Sequence, residues 1–156
     1  MTARLTRELR IPPALVCLLA AASIYACARG FPSARIHFPA RHVVAGGCSA
    51  AGIALALAGI REFRRAQTTV NPLEPGRASS IVSSGLYRHT RNPMYLGMAL
   101  GLVGLALWPG TWPGLLVVPA FMGYLTVFQI IPEERALLVR FGSAYANYCA
   151  QVRRWL

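Results

Sequence analysis

The sequence predicts an all-α integral membrane protein: a bundle of four transmembrane helices followed by a cytoplasmic amphipathic helix. Three observations carry this expectation. First, 55% of the 156 residues are hydrophobic and 13% are charged, whereas a soluble domain carries roughly 25% charged residues. The polar surface is too small to coat a water-soluble globule, and lipid must cover much of the chain. Second, four apolar runs approach or reach the roughly 17–25 residues that a helix needs to span hydrocarbon. Third, the acids avoid these runs. Glu8, Glu62, Glu74, Glu133 and Glu134 all fall outside the four.

The first run, Ile11 to Ala28, opens on Pro12-Pro13, and proline is tolerated at a helix start because the first N–H groups have no intrahelical partner. An alternative makes residues 1–28 a cleaved secretory leader, with a basic start, an apolar core and Ala26-Cys27-Ala28 as a small-residue site. The apolar stretch is long for that role. The second run, Val43 to Ile60, is free of charge. A polar loop rich in Pro, Ser, Thr and Gly follows, from Arg61 to Leu86. The third run, Met94 to Trp108, is short, and it carries Gly97, Gly101 and Gly104 along one face. Such a face allows either close helix packing through small residues or a groove in which a ligand lies against backbone. Only Pro109-Gly110-Thr111 separates it from the fourth run, Trp112 to Ile131, so these two form a tight hairpin. Pro119 is expected to kink the fourth run. Tyr87, Tyr95, Trp108 and Trp112 fall near span ends, as interfacial aromatics do. From Pro132 onward, Leu137, Leu138, Phe141, Tyr145, Tyr148 and Val152 recur at helical spacing, an amphipathic pattern that Gly142 is placed to break.

All sixteen basic residues are Arg, and the formal net charge is +11. These arginines sit between apolar runs and not on a basic, aromatic-interleaved surface, which argues against nucleic acid as a partner. With four spans, both tails and the second loop share one side. That side holds thirteen arginines and the other holds three. The positive-inside rule then puts both termini and the second loop in the cytoplasm. Arg to the exclusion of Lys suggests a GC-rich bacterial source, hence an inner-membrane location. Cys17, Cys27, Cys48 and Cys149 form no C-x-x-C pair, so neither a disulfide framework nor a metal site is expected. Cys149 stands as a candidate thiol.

Two motifs are dense in chemistry-bearing residues. Gly85-Leu86-Tyr87-Arg88-His89-Thr90-Arg91-Asn92-Pro93-Met94-Tyr95-Leu96-Gly97 packs two Arg, a His, an Asn and two Tyr before the third span. By composition this reads equally as an interfacial anchor. Pro132-Glu133-Glu134 reads as a helix start, with proline at the first position and acids complementing the dipole. Taken in order with Phe141-Gly142-Ser143-Ala144-Tyr145-Ala146-Asn147-Tyr148 and the basic finish Val152-Arg153-Arg154-Trp155-Leu156, residues 85–156 resemble the isoprenylcysteine carboxyl methyltransferase and phospholipid methyltransferase superfamily. Two departures stand out. Asn92 occupies a position where His is the more familiar residue, and Gln129 one where many relatives carry Arg.

The resemblance implies one membrane domain in which 1–60 is a variable two-span half, 61–84 a cytoplasmic loop and 85–156 the cofactor-binding half. It implies methyl transfer from S-adenosylmethionine, with S-adenosylhomocysteine as product, to a lipophilic or small acceptor. An isoprenylcysteine-like carboxylate leads, with phospholipid amines and thiols as alternatives. The residues it brings to the cofactor are Tyr87, Arg88, Asn92, Pro93, Tyr95, Gly97, Gly101, Glu133, Glu134, Tyr145 and Tyr148, with Arg91, Asn92 and Glu134 closest to the chemistry. Arg88 or Arg91 would pair the methionyl carboxylate. Glu133 or Glu134 would accept from its amino group or ribose hydroxyls. From other classes, a small transporter would need an intramembrane charge for coupling, which the Glu positions do not offer. A structural membrane scaffold would tolerate changes at Arg91, Asn92 and Glu133.

Overall fold

The computed structural model describes residues 11–66 and 80–156. The arginines at 4, 7, 10 and 77, and with them part of the charge count, lie outside the described residues. Helix α1 spans Pro13–Gly30 and α2 spans Arg41–Arg65. A 3-10 turn, Gly85–Arg88, precedes α3, Pro93–Leu107. Helix α4, Trp112–Leu125, continues through one π turn, Thr126–Ile130, into α5, Ile131–Phe141. Helix α6, Ser143–Gln151, closes the order.

Each of α1, α3, α4 and α5 has proline in its first turn, where the locked φ favours the helix and no hydrogen bond is lost. The rod from Trp112 to Phe141 outruns the expected end at Ile131, because Pro132 does not stop it. A proline inside a helix clashes with the carbonyl four residues back and removes an N–H. The chain widens just before it: Ile131 N–H bonds to Thr126 O, five residues back, and the helix resumes. Pro119 likewise sits within α4 without ending it. The amphipathic stretch expected from Pro132 onward is two helices and not one. Gly142, at φ 54° and ψ −128°, lies between them, a conformation that costs glycine little and other residues more.

The helices alternate in direction, as their ends show. At one end, the loop after α1 meets the α3–α4 hairpin. Ile36 N bonds to Gly110 O, and Trp112 N to Ala34 O at 3.2 Å. At the other, the turn before α3 meets the segment after α6, with Arg91 N bonded to Arg153 O at 3.0 Å.

Helix α3 lies at the centre. Its glycine face packs on α2: a Cβ on Gly52 would lie 2.6 Å from both Gly97 O and Gly101 N, and one on Gly104 would strike Ser49 and Ala45. The backbones touch because side chains are absent. On the other side, Ala99, Leu102 and Ala106 join Ile24, Val118, Phe121 and Leu125 in the apolar core. Leu18, Leu19, Val43, Ile53, Leu57, Leu116, Val127 and Phe128 face outward.

Among the described residues, three helices are long and apolar enough to cross a membrane: α1 with 18 residues, α2 with 25 and the Trp112–Phe141 rod with 30. Helix α3 has 15 residues, or about 22 Å at 1.5 Å per residue, against a hydrocarbon core of about 30 Å. It differs from the others in being wrapped by protein, with both its ends covered by the contacts above.

Candidate methyl-transfer site at one end of the bundle

The end that gathers polar side chains is where α3 begins and α5 begins. Two carboxylates one residue apart on α5 point to different partners. The Glu133 Oε1 atom accepts from Tyr95 Oη of α3 at 2.7 Å and from Gln129 Nε2 of the π turn at 2.5 Å. The Glu134 carboxylate accepts from Arg154 Nε at 3.0 Å and Nη2 at 2.7 Å, and pairs with Arg91 Nη1 at 3.1 Å. Arg91, Glu134 and Arg154 side chains are 13%, 16% and 36% exposed. The fork on Arg154 is the strong bidentate form of a charge-assisted hydrogen bond. Two cations on one carboxylate leave the cluster with one positive charge in excess.

The remaining polar groups lock the approach to α3. Asn92 Nδ2 donates to Arg154 O at 2.9 Å, and Thr90 Oγ1 donates to the same oxygen at 3.3 Å. Tyr148 Oη donates to Tyr87 O at 2.7 Å. Arg91 Nη1 also reaches Cys149 Sγ at 2.7 Å, while Arg91 Nε is buried with no hydrogen-bond partner. Tyr145 and Tyr148 pack against each other with ring centroids 6.0 Å apart, and Tyr87 sits edge-on to Phe63 of α2. Burial pushes the phenols of Tyr87, Tyr145 and Tyr148 up, Tyr148 to about 12, with Arg91 pulling the last two the other way. All three stand as neutral hydrogen-bonding groups. Hydrogen bonds to Glu134 hold the Arg154 guanidinium above its ordinary value, so it is a permanent cation here.

The fold therefore brings Arg91, Asn92, Tyr95, Glu133, Glu134, Tyr145 and Tyr148 to one end, with Tyr87 and Pro93 buried beside them. It separates others from the cluster. Arg88 is exposed at the end of its turn. Gly97 is turned to α2, where a Cβ would meet Gly52 O at 2.6 Å and Ala56 N at 2.8 Å, so its space is filled by helix; Gly101 has nothing within 4 Å of where its Cβ would stand. Sequence reasoning noted Gln129 only as a departure and gave no role to Thr90. Thr90 lies within the Gly85–Gly97 motif and Gln129 shortly before Glu133-Glu134, and that proximity is the one signal that marked them.

The profile of the phospholipid methyltransferase family matches residues 40–144, about two thirds of the chain. The chain belongs to the phospholipid methyltransferase family. An uncharacterized protein of Haemophilus influenzae is 41% identical over 63 residues, which are 40% of this chain and the whole of that relative. No solved structure gives a significant match. The family match begins at residue 40 and so includes α2, which the resemblance had assigned to a variable half. The packing supplies a reason: α2 carries Gly52, on which the α3 backbone rests. Phospholipid methyltransferase family membership makes this a membrane methyltransferase, and the polar end of the bundle is where its charged and hydrogen-bonding groups converge.

Proposed function

We propose that this protein transfers a methyl group from S-adenosylmethionine to a lipophilic acceptor at the polar end of the bundle. The observation that carries the reading is the Arg91–Glu134–Arg154 cluster, with its surplus positive charge and the buried, unpartnered Arg91 Nε. Such a cluster fits a carboxylate of the kind the donor's methionyl group carries. Arg91 would hold that carboxylate, and Glu134 keeps the guanidinium aimed. Glu133, with Tyr95 and Gln129 both on Oε1, would offer its second oxygen to the donor's ammonium or ribose hydroxyls. Tyr145 and Tyr148 would form the wall, and Asn92 fixes the chain that carries Arg91.

The donor supplies an electrophilic sulfonium methyl, so the protein's task is alignment and exclusion of water. A carboxylate or thiolate acceptor needs no base. An amine acceptor must lose a proton, for which Glu133 or the exposed His89 are the groups at this end. The isoprenylcysteine-like carboxylate, the phospholipid amine and the thiol remain the acceptor classes, and the outward apolar helix faces suit an acceptor arriving through lipid. In this reading α1, α2, the short α3 and the Trp112–Phe141 rod all cross the bilayer, α3 with its ends sheathed by protein. The arginine distribution in the sequence supports a polar end on the cytoplasmic face of a bacterial inner membrane, the side on which the donor is made.

The test is transfer of labelled methyl from S-adenosylmethionine into a lipid and metabolite extract by the detergent-purified protein. The expected outcome is a labelled product, whose identity assigns O-, N- or S-methylation. Absence of product together with absence of S-adenosylhomocysteine binding would contradict the proposal.

A further inference from the structure

We infer that the segment Val152–Leu156, which lies beyond the stretch matched by the family, is a working part of the donor site. In it Arg154 is a second binding residue for the donor's carboxylate, and Trp155 is the positioning residue that sets it there. This rests on the reading that the site binds S-adenosylmethionine.

The segment is not helical, so its backbone groups lack intrahelical partners, and two of its carbonyls bond to the site. Arg153 O accepts from Arg91 N, and Arg154 O accepts from Asn92 Nδ2 and Thr90 Oγ1. Both residues flanking Arg91 are thus tied to the backbone that carries Arg154. Arg154 then forks onto Glu134 beside Arg91, which puts two guanidinium groups on one carboxylate. An arriving carboxylate would share both.

What holds the segment is at its far side. Val152 is buried, and Trp155 packs against the apolar core. Trp155 Nε1 donates to Thr126 Oγ1 at 3.2 Å, while Thr126 Oγ1 donates to Met122 O at 2.7 Å. Thr126 opens the π turn, and the same turn carries Gln129, which holds Glu133. One indole N–H therefore links the Arg154 side of the site to the Glu133 side. Ordering an irregular residue costs backbone entropy, so a segment fixed by these bonds to site residues is placed and not merely left over.

The geometry also supplies a probe. Trp108 and Trp112 lie at the opposite end of the bundle, beside the α3–α4 hairpin, and the chain has three tryptophans. In protein carrying W108F and W112F, emission reports Trp155 alone. The expected result is a saturable change in that emission on titration with S-adenosylhomocysteine. Trp155→Phe keeps an aromatic ring and removes the N–H; Thr126→Val removes the acceptor. Each should weaken S-adenosylhomocysteine binding about fivefold, the loss of about one hydrogen bond, and raise KM for the donor with kcat unchanged. The double variant should be no weaker than either single, and Thr126→Ser should restore wild-type affinity. Unchanged affinity in both single variants, additive losses, or Trp155 emission unmoved by a saturating ligand would each overturn the inference while the wild type still binds. A wild type that binds no S-adenosylhomocysteine overturns the underlying reading and this one with it.

Discussion

The two ends of the bundle are closed in different ways. At the hairpin end, backbone meets backbone: Ile36 to Gly110, Ala34 to Trp112, with a bridge between Arg35 and Thr111. A single arginine, Arg41, staples the loop by donating to Ile36 O at 2.8 Å. Among the described residues no carboxylate lies at this end; Glu62, Glu133 and Glu134 are all at the other. An open hollow of about 560 Å³, lined by residues 37–43, faces outward there. At the polar end one backbone bond, Arg91 N to Arg153 O, is joined by many side chains: Glu133 and Glu134, two arginines, two amides and several phenols. A buried ion pair is weak evidence for stability, because desolvation offsets most of its attraction. The hairpin end shows that this fold closes an end without one. On the proposed reading, the charges at the polar end serve binding rather than closure.

Three substitutions sharpen or break this contrast. The largest effect is expected at Glu134→Gln, which leaves two arginines facing a neutral amide. Losing the charge-assisted bonds that aim both guanidinium groups should lower S-adenosylhomocysteine affinity, measured by calorimetry, by about tenfold. An unchanged affinity with an intact fold removes Glu134 from the site. Next is Gly110→Ala at the opposite end. Gly110 has φ 69°, and a Cβ there would run into the Arg41 guanidinium. The strain should lower stability by about 1–2 kcal/mol, visible as a lower melting temperature in detergent, with ligand affinity unaltered. A loss of affinity instead would mean that the two ends are coupled. The smallest is Asn92→Ala, which deletes one hydrogen bond to Arg154 O. About 1 kcal/mol, or a fivefold loss of affinity, is expected, with the larger share in donor KM.

The contrast also separates what was legible in the sequence from what was not. The apolar runs announced the helices, and the third run, expected from Met94 to Trp108, is Pro93–Leu107. Lipid-facing composition and local spacing need no knowledge of partners. The end of the fourth run was misplaced because a π turn has no composition of its own; it is a response to Pro132. The glycine face left two readings open, and choosing between them needed to know that α2 lies against Gly97 and Gly104 while Gly101 faces open space. The Arg91-Asn92-Pro93 and Glu133-Glu134 motifs were visible, yet their pairing was not. Arg91 with Glu134 and Tyr95 with Glu133 are about forty residues apart, and only the antiparallel return of the chain joins them. The contacts of Arg154 and Trp155 are of the same kind.

The most direct test of the central claim is to ask which end takes the donor. Photocrosslinking of radiolabelled S-adenosylmethionine to the purified protein, followed by peptide mapping, reads this. The account predicts labelling competed away by S-adenosylhomocysteine and confined to peptides containing residues 87–95, 129–134 or 145–155. Competed label in residues 34–43 or 108–112, at the hollow of the opposite end, would contradict it.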